Sequence, residues 1–331
     1  MTDELDLLRR ANPVPDDGHR FGDGPLGDHA ERRLARLQAD PRTGRRPLLP
    51  AGRRPRLAWA LTAVAAVAAL VPVLLVGGPA ATPAIAAPRP LSVVADSTPV
   101  PLERLAERAA TAAGAEDAPA ARRGTHVQSW SLGMSDSEPP VTLPQERIVR
   151  WTPDGRHTEL VVATDPRHQG RPVLTDEGGE PRLVGDGRVI GRRTFPPSWS
   201  DAPPAAHPPH DSTRLRAYLA ETAYDPLRTT PELLDAAAQL LDNWTLGARE
   251  SAALTRLLAE ADGLRPTGRV TDRLGRPGQA YVYDGAPGIR HMLILDPSDG
   301  AVLGLEETFT ADQPEYGVRA GEVMQYRAWI R

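Results

Sequence analysis

The chain has 331 residues and no cysteine, which excludes a disulfide framework, Cys-ligated zinc, iron–sulfur clusters and thiol catalysis. Its formal net charge of −4 implies no long-range attraction to nucleic acid, so no direct nucleic-acid partner is expected. The length allows one moderate domain with appendages, and 35 prolines point to extended connections between its parts.

Residues 1–56 are too few and too polar to build a substantial core. Two short helices fit this segment. One opens at Thr2-Asp3-Glu4 and carries Leu5, Leu7 and Leu8. The other runs through Ala30, Leu34 and Leu37 with Arg32, Arg33 and Arg36 between them. They read either as a basic tail that sets topology or as amphipathic helices that fold on a cytoplasmic partner.

Residues 57–76, from Leu57 to Val76, read LAWALTAVAAVAALVPVLLV and contain no charged side chain. About 20 apolar residues suffice for a helix to cross a bilayer core of roughly 30 Å. Arg42, Arg45, Arg46, Arg53, Arg54 and Arg56 precede the stretch, and the first charge after it is Arg89. That asymmetry places the N-terminus inside and predicts a single-pass anchor in the cell membrane. A cleaved leader is the rival, with Ala84-Ile85-Ala86 as the small-x-small site. Its basic region and apolar run would both be longer than such signals have.

Residues 77–101 form a linker in which Pro79, Pro83, Pro88, Pro90, Pro99 and Pro101 prevent a helix. Residues 102–331 then read as an extracytoplasmic domain. Leu102, Leu105, Ala106 and Ala109 mark a helix over 102–113. Strands follow at 125–134, 147–151 and 157–164, the last two joined at Pro153-Asp154-Gly155. A further strand pair is predicted at 182–184 and 188–195, joined at Asp186-Gly187. Three helices come next. Asp211 or Ser212 caps the first, Thr230-Pro231 opens the second, and the third runs from about 248 to 261. A strand meander closes the chain at 268–274, 279–283, 289–295, 302–309 and 322–330. The expected fold class is therefore α+β: one transmembrane helix, then an antiparallel, curved sheet with covering helices.

Catalytic and metal signatures are thin. His207-Pro208-Pro209-His210 offers two ligands in a proline-rich loop with no third, so no metal is expected. Gly185, Gly187 and Gly191 have the wrong spacing for a dinucleotide fingerprint and read as a hairpin turn. Glu306 and Glu307 are adjacent on a strand and point to opposite faces, against a paired acid–base site. Asn243-Trp244-Thr245 is a sequon at a helix end. His126, His157, His168 and His291 are scattered, with no partner specified. No catalytic, cofactor-binding or metal residue is assigned.

Several stretches carry a resemblance: Asp3-Glu4-Leu5-Asp6-Leu7-Leu8-Arg9, Pro231-Glu232-Leu233-Leu234, residues 249–258, Gly268 to Arg276, and Leu293 to Gly304. They resemble a large family of uncharacterised actinobacterial single-pass membrane proteins, often encoded beside extracytoplasmic-function sigma factors. The resemblance implies a signalling or anti-sigma-like role in the cell envelope, with a sigma factor or other regulator as inner partner. The outer domain also resembles the half-barrel of lipoprotein-carrier and sigma-regulator sensor proteins, which implies an apolar cavity and an apolar ligand. The His–Cys–Cys zinc motif of many anti-sigma domains is absent from residues 1–56. The expected function is that of a non-enzymatic, membrane-anchored sensor or binding protein. The alternatives are an envelope structural protein or secreted carrier and, more remotely, a hydrolase.

Overall fold

A computed structural model of the chain describes residues 88–134, 140–177, 181–197 and 206–331. The inner segment 1–56, the apolar stretch 57–76 and residues 77–87 of the linker lie outside the described residues, as does the anchor expected there.

The fold-class expectation needs correction. The described chain is mostly sheet, with twelve strands, of which ten form one large antiparallel sheet, and four α-helices. Among the described residues, no helix is long and apolar enough to cross a membrane, so no transmembrane helix and no single-pass architecture is seen there.

The strands are β1 (Arg122–Gly133), β2 (Val141–Trp151), β3 (His157–Ala163), β4 (Val173–Thr175), β5 (Arg182–Val184), β6 (Arg188–Phe195), β7 (Trp244–Thr245), β8 (Arg265–Thr271), β9 (Pro277–Tyr283), β10 (Ile289–Leu295), β11 (Val302–Phe309) and β12 (Val323–Trp329). The helices are α1 (Leu102–Ala113), α2 (Ser212–Ala223), α3 (Thr230–Leu241) and α4 (Ala248–Ala259). The large sheet runs β6-β3-β2-β1-β12-β11-β10-β9-β8, with β7 beside β1. The first long strand thus pairs with the last, Val127 opposite Trp329 and Ser131 opposite Gln325.

Two strand expectations fail for identifiable reasons. The 182–184 segment does not pair with 188–195: β5 pairs with β4, and β6 pairs with β3. Asp186 and Gly187 still make a tight turn, with Arg188 N–H donating to the Gly185 carbonyl, but the turn redirects the chain between two sheets. β2 starts at Val141 rather than at Arg147 and runs through Pro144. Proline disfavours a central strand because it lacks a ladder N–H. Here β3 reaches only as far as Gln145, opposite Ala163, so at Pro144 one side of β2 carries no ladder.

Local signals explain the turns and caps. Thr152 N–H donates to the Arg156 carbonyl across the Asp154-Gly155 turn, and Gly155 takes the positive φ that such a turn requires. Asp211 caps α2 by accepting from Arg214 N–H at 2.9 Å. The cap of α3 is Thr229, one residue earlier than Thr230. Thr229 and Glu232 form a reciprocal capping box, and Pro231 sits inside the first turn.

Two apolar layers hold the sheet. On one face, the leucines of α1 to α4 and Trp244 pack on Val127, Tyr281, Leu293, Leu295, Leu305 and Trp329. On the other, Trp130, Val282, Ile294, Tyr326 and Ala328 form a second core with Leu91 and Val93 against it. Strands buried on both faces lose polar alternation, as the fully buried β11 shows. Val94 N–H donates to the Arg269 carbonyl, so the segment carrying Leu91 and Val93 also covers part of the β8 edge.

Candidate functional site

On the helix-facing side of the sheet the rows change character. Under the helices, Leu305, Leu293 and Tyr281 stand opposite one another on β11, β10 and β9. One row further along, the same face carries Ser131, Gln325, Glu307, His291 and Tyr283, each opposite the next across β1, β12, β11, β10 and β9. Gln325 Nε2 donates to Glu307 Oε1 at 2.7 Å. Glu307 and His291 are both buried, and among the described residues His291 Nδ1 has no hydrogen-bond partner. Burial pushes the Glu307 carboxyl above its usual range, outweighing Gln325 and the nearby His291 and Arg327, which favour the carboxylate.

The β1 and β12 end of this row opens into a cleft of about 350 Å³ whose lining includes Ser129, Ser131, Gln145, Arg147, Gln325 and Arg327. Asp242, at the C-terminus of α3, forms its wall. One carboxylate oxygen of Asp242 accepts Arg327 at 3.1 Å and the other accepts the Trp329 indole N–H at 3.0 Å. Its carbonyl accepts Arg147 at 3.2 Å, and Arg147 also pairs with Glu159. Two guanidinium groups at a helix C-terminus complement its dipole and fix the helix on the sheet. The cleft therefore presents hydroxyls, amides and two anchored guanidinium groups.

Where α3 and β7 meet β1, β11 and β12 the packing is close. The void lined by Thr125, Leu241, Trp244, Val302 and Trp329 holds about 20 Å³, room for one water.

The histidines have separate tasks. His126 pairs with Glu146, and His210 contacts Glu250 at 2.8 Å. His207 packs against Trp244 with the two rings tilted by 53°, whereas His210 meets Glu250, so the two histidines of His207-Pro208-Pro209-His210 have separate partners. His168 and Arg167 hold the buried Asp165, which also accepts the Trp130 indole N–H at 3.2 Å. His157 stacks between Trp151 and Phe195. Among the described residues, no group of three or more His, Asp or Glu side chains could hold a metal ion. Glu306 and Glu307 do point to opposite faces: Glu306 meets Arg273 and Leu91 N–H, whereas Glu307 meets Gln325.

The cleft residues escaped the sequence reading. A signal was present in Val127-x-Ser129-x-Ser131 and Gln325-x-Arg327-x-Trp329, where one strand face turns from apolar to polar part-way along. No known family model matches the chain, and no curated protein matches it.

Proposed function

We propose that this chain is a non-enzymatic binding protein that takes a polar, hydroxyl- or amide-bearing ligand in the cleft at Ser129, Ser131, Gln145, Arg147, Gln325 and Arg327. The observation that carries the reading is the contrast in packing. The void at Leu241, Trp244 and Trp329 has room for one water, whereas the open cleft of about 350 Å³ is lined by convergent polar groups. This replaces the expected apolar ligand with a polar one. The contact of residues 1–56 with a sigma factor rests on the resemblance alone.

Binding, not turnover, fits the chemistry. Arg147 and Arg327 are engaged by carboxylates, Glu307 is held by Gln325, and Ser129 Oγ donates to the Gln145 carbonyl, so among the described residues it has no base beside it. The test is calorimetric titration of the full chain with N-acetylglucosamine oligomers and with a neutral Ser/Gln peptide. Binding of either that Ser131→Trp abolishes supports the reading. Absence of heat with both, or release of a cleaved product, sinks it. The tight interior packing favours a second reading, a structural envelope protein with no ligand, which predicts no heat with either probe and an unchanged melting temperature.

A further inference from the structure

We propose that the sheet face opposite the helices, on β1, β2, β3 and β6, docks an acidic polypeptide segment that carries apolar residues between its acids. Strand register defines this face. His126, Ile148, Leu160 and Arg192 stand opposite one another in one row, and Gly124, Arg150, Thr158 and Thr194 in the next. The residues one step out of phase point to the helices: Thr125 Oγ1 donates to the Leu241 carbonyl, and Val127 lies in the helix-side core.

Arg122, Arg150 and Arg192 are exposed, and none of their side chains has a hydrogen bond or ion pair among the described residues. The acid beside them, Glu146, is already held by His126. A chain of net charge −4 therefore concentrates uncompensated positive charge here. Arginine recognises carboxylates in a bidentate manner, and it does so best where no internal acid competes.

Shape and polarity narrow the partner. A cleft of about 430 Å³ is lined by Arg122, Gly124, His126, Ile148 and Arg150 together with the intervening residues of β1 and β2 and Thr245. At its floor Gly124 takes φ +117, and an added Cβ would lie 2.5 Å from the Val149 carbonyl oxygen, so this close approach of β1 and β2 requires glycine. Ile148 and Leu160 are half-buried, giving an apolar strip between the cations. A phosphate polymer has nothing to place on that strip, whereas a peptide alternating acidic and apolar residues fills both features.

The experiment uses the full chain and a fluorescent short peptide alternating Glu and Val, with a Lys/Val peptide, an all-Glu peptide and inorganic polyphosphate as comparisons. The expected result is binding of the Glu/Val peptide that weakens with salt and falls about tenfold or more in Arg122→Glu/Arg150→Glu/Arg192→Glu. That variant is expected to gain affinity for the Lys/Val peptide. An unchanged melting temperature separates lost docking from lost folding, and Arg150→Gln alone carries the test if the triple variant melts early. No binding, equal binding of the Lys/Val peptide, or unchanged affinity in the variants overturns the proposal. Equal binding of all-Glu peptide or polyphosphate also overturns it, since the site is then a plain polyanion site.

Discussion

Arg273 and Glu306 form a buried ion pair on the sheet face away from the helices, with side chains only 6% and 1% exposed. Glu306 also accepts Leu91 N–H at 2.8 Å, and Arg273 donates to the Arg89 carbonyl and lies over the Tyr326 ring. The pair thus ties the segment before α1 to β11 and to the turn after β8. Arg273→Met strands a buried carboxylate and should cost about 3–5 kcal/mol. Arg273→Met/Glu306→Gln should recover much of that loss, because the remaining amide needs no counter-charge. Urea unfolding of both variants decides the matter.

Asp165 supplies an acid limit to stability. Burial alone would raise its carboxyl, but hydrogen bonds from Arg167 and His168 outweigh burial and hold it at about 2. A carboxyl depressed in the fold stabilises above its unfolded value of ~3.9 and loses that contribution as pH falls through the folded value. The melting temperature should therefore drop between pH ~4 and about 2. Asp165→Asn should flatten that limb, at a cost of about 1–2 kcal/mol near neutrality. Thermal melts across this acid range check both statements.

Glu307 acts with the opposite sign. A carboxyl raised in the fold contributes stability below its unfolded value of ~4.3, and that contribution is lost as pH rises through the folded value. Glu307→Gln should therefore be more stable than the parent at pH ~8, by something on the order of 1 kcal/mol, and the gain should vanish near pH ~4. His291, Gln325, Arg327 and Asp235 all act on this group, and the substitution leaves each of them in place. Denaturant midpoints at the two pH values give the answer.

Thr229→Ala removes one half of the capping box that starts α3. It should cost about 1 kcal/mol, while Thr229→Ser should cost little. Circular dichroism melts of the two variants separate the cap from any effect of size.

Local elements were largely legible. The 3.6-residue spacing of Leu102, Leu105, Ala106 and Ala109 matches the buried stripe of α1, and Asp154-Gly155 makes the turn its chemistry demands. The extent of the sheet was not legible. The strand expected at 147–151 starts at Val141 and runs through Pro144, where the shortness of β3 leaves one side of β2 without a ladder. Asp186-Gly187 suggested a hairpin of its two flanking strands, yet those strands pair with β4 and β3. The cleft was hidden for the same reason, since it forms where Ser129 and Ser131 on the first long strand, β1, meet Gln325 and Arg327 on the last, β12.

The sequence by itself determined where the chain bends, caps and alternates, because those choices depend on φ, side-chain bonds and spacing within a few residues. Only the tertiary structure decided which strands are neighbours, that Arg273 meets Glu306, and that one polar row crosses the sheet beside an apolar one. Pairing partners are selected by how much surface the whole sheet buries on both faces, a quantity no short stretch of residues contains.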